Sequence, residues 1–289
     1  ERAIELNQVV VTVTAGGEQL RSLGTSVATV NVADITQKTA IPSVDALLNG
    51  RTPGVVVLPG TGMVGSGANI RIRGIGTFSL SNNPLVYVDG VRVNNSTGSG
   101  IYVQAFSSGV VSRLNDFSAS EIESVEVLKG PAAATLYGTE AARGVINIIT
   151  KKGSAGSTKY SFQVQGGNNW FHDAENRIPT NYCVLLSGNE CVNSNAKAGE
   201  LLGLNVAKQE EDRGTPLFRN GKLRNYSGNV SGGTSLFRFF ASGELGTSEG
   251  AERFNDRRQT SVRTNLNITP NSKIDVATSL GYINSNTQL

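Results

Sequence analysis

Between Ser120 and Lys152 the chain has few ways to fold. Ser124 to Lys129 alternates its side chains in the manner of a strand, and Gly130 interrupts it. Pro131 suits the first turn of a helix, where its missing N–H would have no partner anyway; Ala132 to Tyr137 favour helix, and Gly138 supplies a left-handed stop. The helix is therefore barely two turns long. Gly144-Val-Ile-Asn-Ile-Ile-Thr-Lys-Lys152 then reads as a buried strand, being β-branched and bounded by glycine. Ahead of this unit Ser120 and Glu123 form a capping-box pattern, which predicts a short helical turn starting at Ser120.

Upstream segments have the same β-rich character. Asn69-Ile-Arg-Ile-Arg-Gly74 alternates apolar and cationic residues, so one face packs while both guanidinium groups point the other way. Asp89-Gly90 separates two β-forming runs, and a type I′ turn needs positive φ at both of its central residues. Leu23 to Asp34 reads as a further β stretch. Pro42 to Gly50 reads as a helix capped by Ser43, with Val44, Leu47 and Leu48 on one face. Gly60-x-Gly62-x-x-Gly65 matches the dinucleotide fingerprint in letters only, since the alternating strand pattern that follows leaves no helix N-terminus to face a pyrophosphate.

Ile70-Arg-Ile-Arg-Gly74, Val86-Tyr-Val-Asp-Gly90, Ile122-Glu-Ser-Val-Glu-Val-Leu-Lys-Gly-Pro131, Leu136-Tyr-Gly138 and Gly144-Val-Ile-Asn-Ile-Ile-Thr-Lys151 resemble, in order, the plug domain of TonB-dependent outer-membrane transporters. The wording is most like the SusC-like nutrient-uptake branch. The resemblance runs from Leu6 to Gly153, and its ordered blocks are more specific than any single motif.

Past Gly153 the texture changes. Tyr160, Phe162 and Val164 share one face against Ser161, Gln163 and Gln165; Phe237, Phe239, Ala241 and Leu245 oppose Arg238, Ser242 and Glu244. Val262, Leu266 and Ile268 oppose Arg263, Asn265 and Asn267, and Ile274, Val276, Leu280 and Tyr282 oppose Asp275 and Ser279. Five strands are expected, at about 158–170, 222–233, 236–248, 257–269 and 272–285, joined by alternately long and short connections. An apolar outside with a polar inside suits a lipid-embedded barrel, whereas a soluble sandwich would bury the same apolar face against a second sheet. A barrel that holds a plug takes about 22 strands, so the expected fold class is an α+β plug followed by the first strands of an antiparallel transmembrane β-barrel that this chain leaves incomplete. The expected division is an N-terminal segment over 1–17, a plug over 18–153, a linker over 154–157 and barrel strands over 158–289.

Composition excludes other classes. The 34 glycines and 8 prolines fit a turn-rich β protein, and a net charge of +3 with no basic run gives no reason to expect a nucleic-acid partner. No 18-residue apolar run exists, which argues against a helical membrane span and leaves a barrel open. No cationic start with an apolar centre is present, so an export signal is expected to have been removed or to lie upstream of Glu1. His172 is the lone histidine, without a nucleophile elbow or metalloprotease motif, so no catalytic residues, metal or cofactor are expected. Cys183 and Cys191 read either as a small disulfide loop or as two free thiols; two cysteines without a second pair cannot complete a zinc site.

The resemblance implies a function and a set of sites. It implies active import of a nutrient (a glycan, an oligopeptide or a metal chelate) across the bacterial outer membrane, with the N-terminus periplasmic. Implied partners are TonB with its ExbB/ExbD-type motor, a SusD-like surface lipoprotein and outer-membrane lipid. Val9, Val10, Val11, Thr12, Val13 and Thr14 match the position of a TonB box, although the same run serves equally as a first plug strand. Arg71, Arg73, Lys129 and Arg143 are the plug cations that would pair with barrel carboxylates, the alternative being ordinary surface ion pairs; read from the sequence itself, Glu121, Glu123 and Glu126 are expected to meet these cations on neighbouring strands. Phe78, Tyr102 and Phe106 lie in loops that would face substrate, or would equally pack against the barrel wall. Two other functions remain open: a non-pumping outer-membrane receptor or scaffold, and a soluble β-rich adhesin.

Overall fold

The computed structural model describes residues 9–10, 18–19, 27–36, 39, 41, 43–59, 61–74, 82–94, 113–178, 181–184, 201–271 and 273–288. Two short strands, β1 (Val9–Val10) and β2 (Glu18–Gln19), pair antiparallel near the N-terminus and, among the described residues, join no larger sheet. β3 (Val27–Asn31) runs directly into the helix α1 (Val32–Thr36). The β reading of Leu23 to Asp34 is thus corrected at Val32: that side chain is fully buried in the helix, and the Thr36 hydroxyl donates to the Val32 carbonyl at 3.0 Å. Burial has overridden the β propensity of Val32, Ile35 and Thr36.

α2 (Val44–Leu48) begins where expected, with the Ala46 N–H donating to Ser43 Oγ at 3.2 Å. It is followed by the hairpin of β4 (Val55–Pro59) and β5 (Ala68–Ile72), then by β6 (Leu85–Val88) and β7 (Val91–Val93), which meet at Asp89 (φ 47) and Gly90 (φ 86). Positive φ at both positions is what the type I′ turn requires. β8 (Ile122–Leu128), α3 (Pro131–Tyr137) and β9 (Val145–Thr150) form the strand, short helix, strand unit, and α3 ends at Gly138 with φ 84. The order in the mixed sheet is β3-β8-β9-β6-β7; only β6 and β9 are parallel.

One apolar cluster fills this unit, including Val32, Leu47, Leu48, Val86, Val125, Ile146 and Ile148, and a smaller one gathers Leu128, Ala133, Ala141 and Val145. Every residue of both clusters lies between Val27 and Ile148. The plug therefore has its own core, and among the described residues the five wall strands add one buried apolar side chain, Phe240.

β10 (Gly156–Asn169) opens a second, wholly antiparallel sheet. Its long connection onward carries α4 (Ala174–Arg177), the hairpin of β11 (Asn181–Val184) and β12 (Leu201–Leu204), and α5 (Val206–Asp212). Then follow β13 (Gly221–Gly233), β14 (Phe237–Glu249), β15 (Asp256–Asn271) and β16 (Ile274–Gln288), in sheet order β10-β13-β14-β15-β16. The five strands stand where the alternation placed them, and they form an open wall, not a closed cylinder. Tyr160, Phe162 and Val164 are 81%, 75% and 58% exposed, with no second sheet packed over them among the described residues. A sandwich would have buried them. No helix of the described residues is long and apolar enough to cross a membrane.

Candidate functional site: the seam between plug and wall

The polar face of the wall carries the plug. Side chains alternate along a strand, so Arg257, Gln259, Ser261, Arg263 and Asn265 of β15 all point the same way. Each of them bonds a plug group, in sequence order along the strand. Arg257 donates to the Asn115 carbonyl at 2.6 Å and lies 3.5 Å from an Asp116 carboxylate oxygen. Gln259 donates to the Asp116 carbonyl at 2.7 Å, and Ser261 donates to Glu121 Oε1 at 3.0 Å. Arg263 Nε donates to Glu121 Oε2 at 3.0 Å, and Asn265 Nδ2 donates to Thr150 Oγ1 at 3.0 Å and to the Lys151 carbonyl at 2.7 Å.

Local backbone puts Glu121 there. A 3-10 turn over Ala119–Glu121 is capped by Ser118, whose Oγ accepts from the Ser120 N–H at 3.1 Å. The cap is thus Ser118 and not Ser120: Ser120 sits inside the turn, and β8 starts straight after it, so no longer helix forms to use the Ser120–Glu123 box. Glu121 is 2% exposed, and its partner Arg263 is also buried. Arg263 further sees Asp89 at 4.0 Å and places its guanidinium carbon 6.0 Å from the centroid of the Phe117 ring. Asp89 itself is pinned by the Thr150 N–H at 3.0 Å and the Thr150 hydroxyl at 2.6 Å.

Neighbouring strands add two more attachments. Glu244 of β14 accepts from the Ser118 and Ser120 hydroxyls. Asn255, 1% exposed at the head of β15, accepts from the Val64 N–H at 2.6 Å and donates to the Val64 carbonyl at 3.1 Å, so one side-chain amide satisfies both backbone groups of that plug residue. Between plug and wall lies a cleft of about 270 Å³, lined by Met63 and Phe117 from the plug and by Gln163, Asn225 and Glu244 from the wall. Where the chain crosses from plug to wall, a Cβ on Gly153 would run into the Phe239 backbone, and only glycine permits that approach.

Charge polarity at this seam is opposite to the expectation. The plug presents carboxylates (Asp116, Glu121) and the wall presents arginines (Arg257, Arg263). Glu121 does not meet Arg71, Arg73, Lys129 or Arg143, and none of those four cations is in an ion pair among the described residues. Arg71 lies in β5; Arg73, with φ 58, lays its guanidinium against Gly130; Lys129 follows β8; Arg143 ends the 3-10 turn Thr139–Arg143. Glu126 accepts from the Asn147 amide at 3.3 Å, and Glu123 is exposed, acting on Lys151 only through space. Burial pushes the Lys151 ammonium down from its usual range, opposed by Glu123, while its Nζ donates to the Ser120 carbonyl at 2.8 Å.

Of the other sites expected, Val9 and Val10 form β1, and Cys183 lies in β11 opposite Leu202. Val11, Thr12, Val13, Thr14, Phe78, Tyr102, Phe106 and Cys191 lie outside the described residues. Sequence alternation pointed Glu244, Arg263 and Asn265 inward without naming their partners. Those partners are more than 110 residues away along the chain, and no local pattern encodes them.

A small α+β unit with its own core, hydrogen-bonded to the polar face of an antiparallel wall whose other face is apolar, defines the plug-and-barrel class of outer-membrane proteins. Residues 19–145 match the family model described as the TonB-dependent receptor plug domain, and this stretch of the chain is such a plug domain. It is similar to the TonB-dependent receptor SusC of Bacteroides thetaiotaomicron, 31% identical over 191 residues that make up 65% of this chain and 17% of that protein. It is also similar to the vitamin B12 transporter BtuB of Vibrio vulnificus, 36% identical over 142 residues, 49% of this chain and 20% of that protein. In fold it resembles the RagAB peptide importer in its open-open state, with a TM-score of 0.74 at 21% identity over 97% of this chain and 32% of that one. The chain thus spans about a third or less of the relatives it matches.

Proposed function

We propose that the protein containing this chain is an energised importer of the bacterial outer membrane, in which the plug gates the barrel and TonB, with an ExbB/ExbD-type motor, supplies the force. The observation that carries this reading is the chemistry of the seam. Plug and wall are held mainly by hydrogen bonds and ion pairs: both apolar clusters lie inside the plug, and among the described residues Phe240 is the one apolar side chain of the five wall strands that is buried. Water replaces polar partners at small net cost, typically about 0.5–1.5 kcal/mol per hydrogen bond, whereas an apolar interlock would resist separation. A pull on the N-terminal segment is a suitable trigger, since Val9–Val10 is a two-residue strand paired with the equally short Glu18–Gln19. TonB would add a strand there through backbone hydrogen bonds.

Arg71, Arg73, Lys129 and Arg143 remain proposed partners for carboxylates on later barrel strands, and Phe78, Tyr102 and Phe106 remain proposed substrate contacts. An oligopeptide or a metal chelate fits what the RagAB peptide importer and the ferric enterobactin receptor are named for; a glycan is the third proposed cargo, and a SusD-like surface lipoprotein is the proposed partner on the cell exterior. Deleting Asn7 to Thr14 in the intact protein tests the reading. Energised uptake is expected to stop while substrate binding persists; uptake that continues, or binding lost together with it, would contradict it.

A further inference from the structure

The lipid-facing side of the wall is chemically lopsided. Strand register places Gly166, Arg224, Thr247, Arg258 and Asn286 side by side across β10, β13, β14, β15 and β16. All share the outward parity of the exposed Val164, Tyr226, Leu245 and Tyr282. Arg224 and Arg258 are exposed, two strands apart, which is about 9–10 Å, and Lys222 lies one outward position above Arg224.

Neither arginine is in an ion pair among the described residues. The acids that share their outward parity on β14 and β15 have other partners: Asp256 is held by Arg219 at 2.6 Å, and Glu249 accepts from the Lys222 N–H at 3.0 Å. From that row towards the opposite rim, outward positions bear no charge at all: β14 offers Phe237, Phe239, Ala241, Gly243 and Leu245, and β16 offers Ile274, Val276, Thr278, Leu280 and Tyr282. The apolar stretch from Phe237 to Leu245 is about 26 Å along the strand, enough to cover the hydrocarbon layer.

The two rims differ in another respect. The connections at residues 234–236 and 272–273 are tight, while those beside Lys222, Arg224 and Arg258 are the long segment 170–220 and the loop 250–255. Long loops mark the extracellular side. At the outer-leaflet rim Lys222, Arg224 and Arg258 occupy outward strand positions just beyond the apolar band, whereas the cation described at the opposite rim, Lys273, lies in the turn; guanidinium groups so placed find anionic lipid head groups.

We propose that Arg224 and Arg258, assisted by Lys222, form a binding patch for the phosphate of an outer-leaflet phosphoglycolipid. Planar guanidinium forks on the strands either side of β14 take two faces of one phosphate, and Thr247 between them offers a hydroxyl. The proposal rests on the outer-membrane reading above, but its test is independent of uptake.

Native mass spectrometry of the intact protein, purified in detergent and supplied with lipid A, reads the lipid retained. At least a tenfold drop is expected in the double variant R224Q/R258Q, with retention kept in R224K/R258K and in the loop control R253Q. Enzymatically dephosphorylated lipid A is expected to be retained no better by the native protein than lipid A is by the glutamine variant. Equal retention by R224Q/R258Q, or of the dephosphorylated lipid, would overturn the assignment. So would displacement by millimolar inorganic phosphate, which would make the patch a site for soluble anions. Heat-modified gel mobility checks folding, and should the glutamine pair not fold, R258Q alone against R258K gives the same comparison. Deletion of Asn7 to Thr14 leaves lipid retention unchanged, so the uptake reading and this one fail separately.

Discussion

Arg263 on the wall and Glu121 on the plug meet at 3.0 Å with almost no exposure of either side chain, and they are 142 residues apart in sequence. A buried pair of this kind returns little net stability as a pair, yet removing one member strands the other charge. Arg263→Ala in the intact protein is therefore expected to weaken plug docking by about 3–5 kcal/mol. Ion conductance in planar bilayers should rise as the plug loosens, and replacing both residues by methionine should recover most of the loss. If the double replacement leaks as much as the single one, the pair is not the coupling element.

Asn255 is a smaller but cleaner case. Its amide serves both backbone groups of Val64 and also donates to the Gln288 carbonyl at 2.8 Å. Asn255→Ala leaves these groups without that partner, at about 1–3 kcal/mol. Hydrogen exchange at the Val64 amide should accelerate, with little change at Val125 in the middle of the plug sheet. Equal acceleration at both would indicate general destabilisation of the plug.

Asp45 gives the plug a pH dependence with a definite sign. The side chain is buried in α2, and burial raises its pKa above the usual carboxylate range, partly offset by the Ala68 N–H, which donates at 3.3 Å, and by Asn115. Between the ordinary value and the raised one the folded state holds a proton that the unfolded state has lost. This group's contribution therefore falls as pH rises through that window. Asp45→Asn should flatten this part of the plug's stability profile, measured by urea titration at several pH values; an unchanged profile would remove Asp45 as its source.

Much of this architecture was legible in the sequence because it is locally encoded. Gly130-Pro131 and Gly138 bracketed α3, Asp89-Gly90 gave the hairpin, Ser43 gave a cap, and period-two alternation gave all five wall strands. Two local readings failed: at Val32–Asp34 burial outweighed β propensity, and at Ser120 the immediate start of β8 left a short 3-10 turn capped by Ser118. The seam was illegible for a different reason. Alternation says which way Arg263 points but not what waits there, and the resemblance pointed to plug cations where this wall receives plug carboxylates.

The crossing at Gly153 makes a steric prediction. Gly153→Ala puts a methyl group into the Phe239 backbone, so the linker must move off the wall. Overpacking of this sort costs about 1–3 kcal/mol, and the folded, heat-modifiable fraction on a gel should fall accordingly. Gly62→Ala, where a Cβ meets nothing, should fold normally.

The account as a whole depends on β15 showing one side to lipid and the other to the plug. A nitroxide scan of residues 260–268 in the intact protein, reconstituted in bilayers, addresses this directly. Labels at Val262, Thr264 and Leu266 are expected to be open to oxygen dissolved in the hydrocarbon, and labels at Ser261, Arg263 and Asn265 to be shielded from it and immobilised. A profile without the two-residue period, or with its phase reversed, would contradict the account.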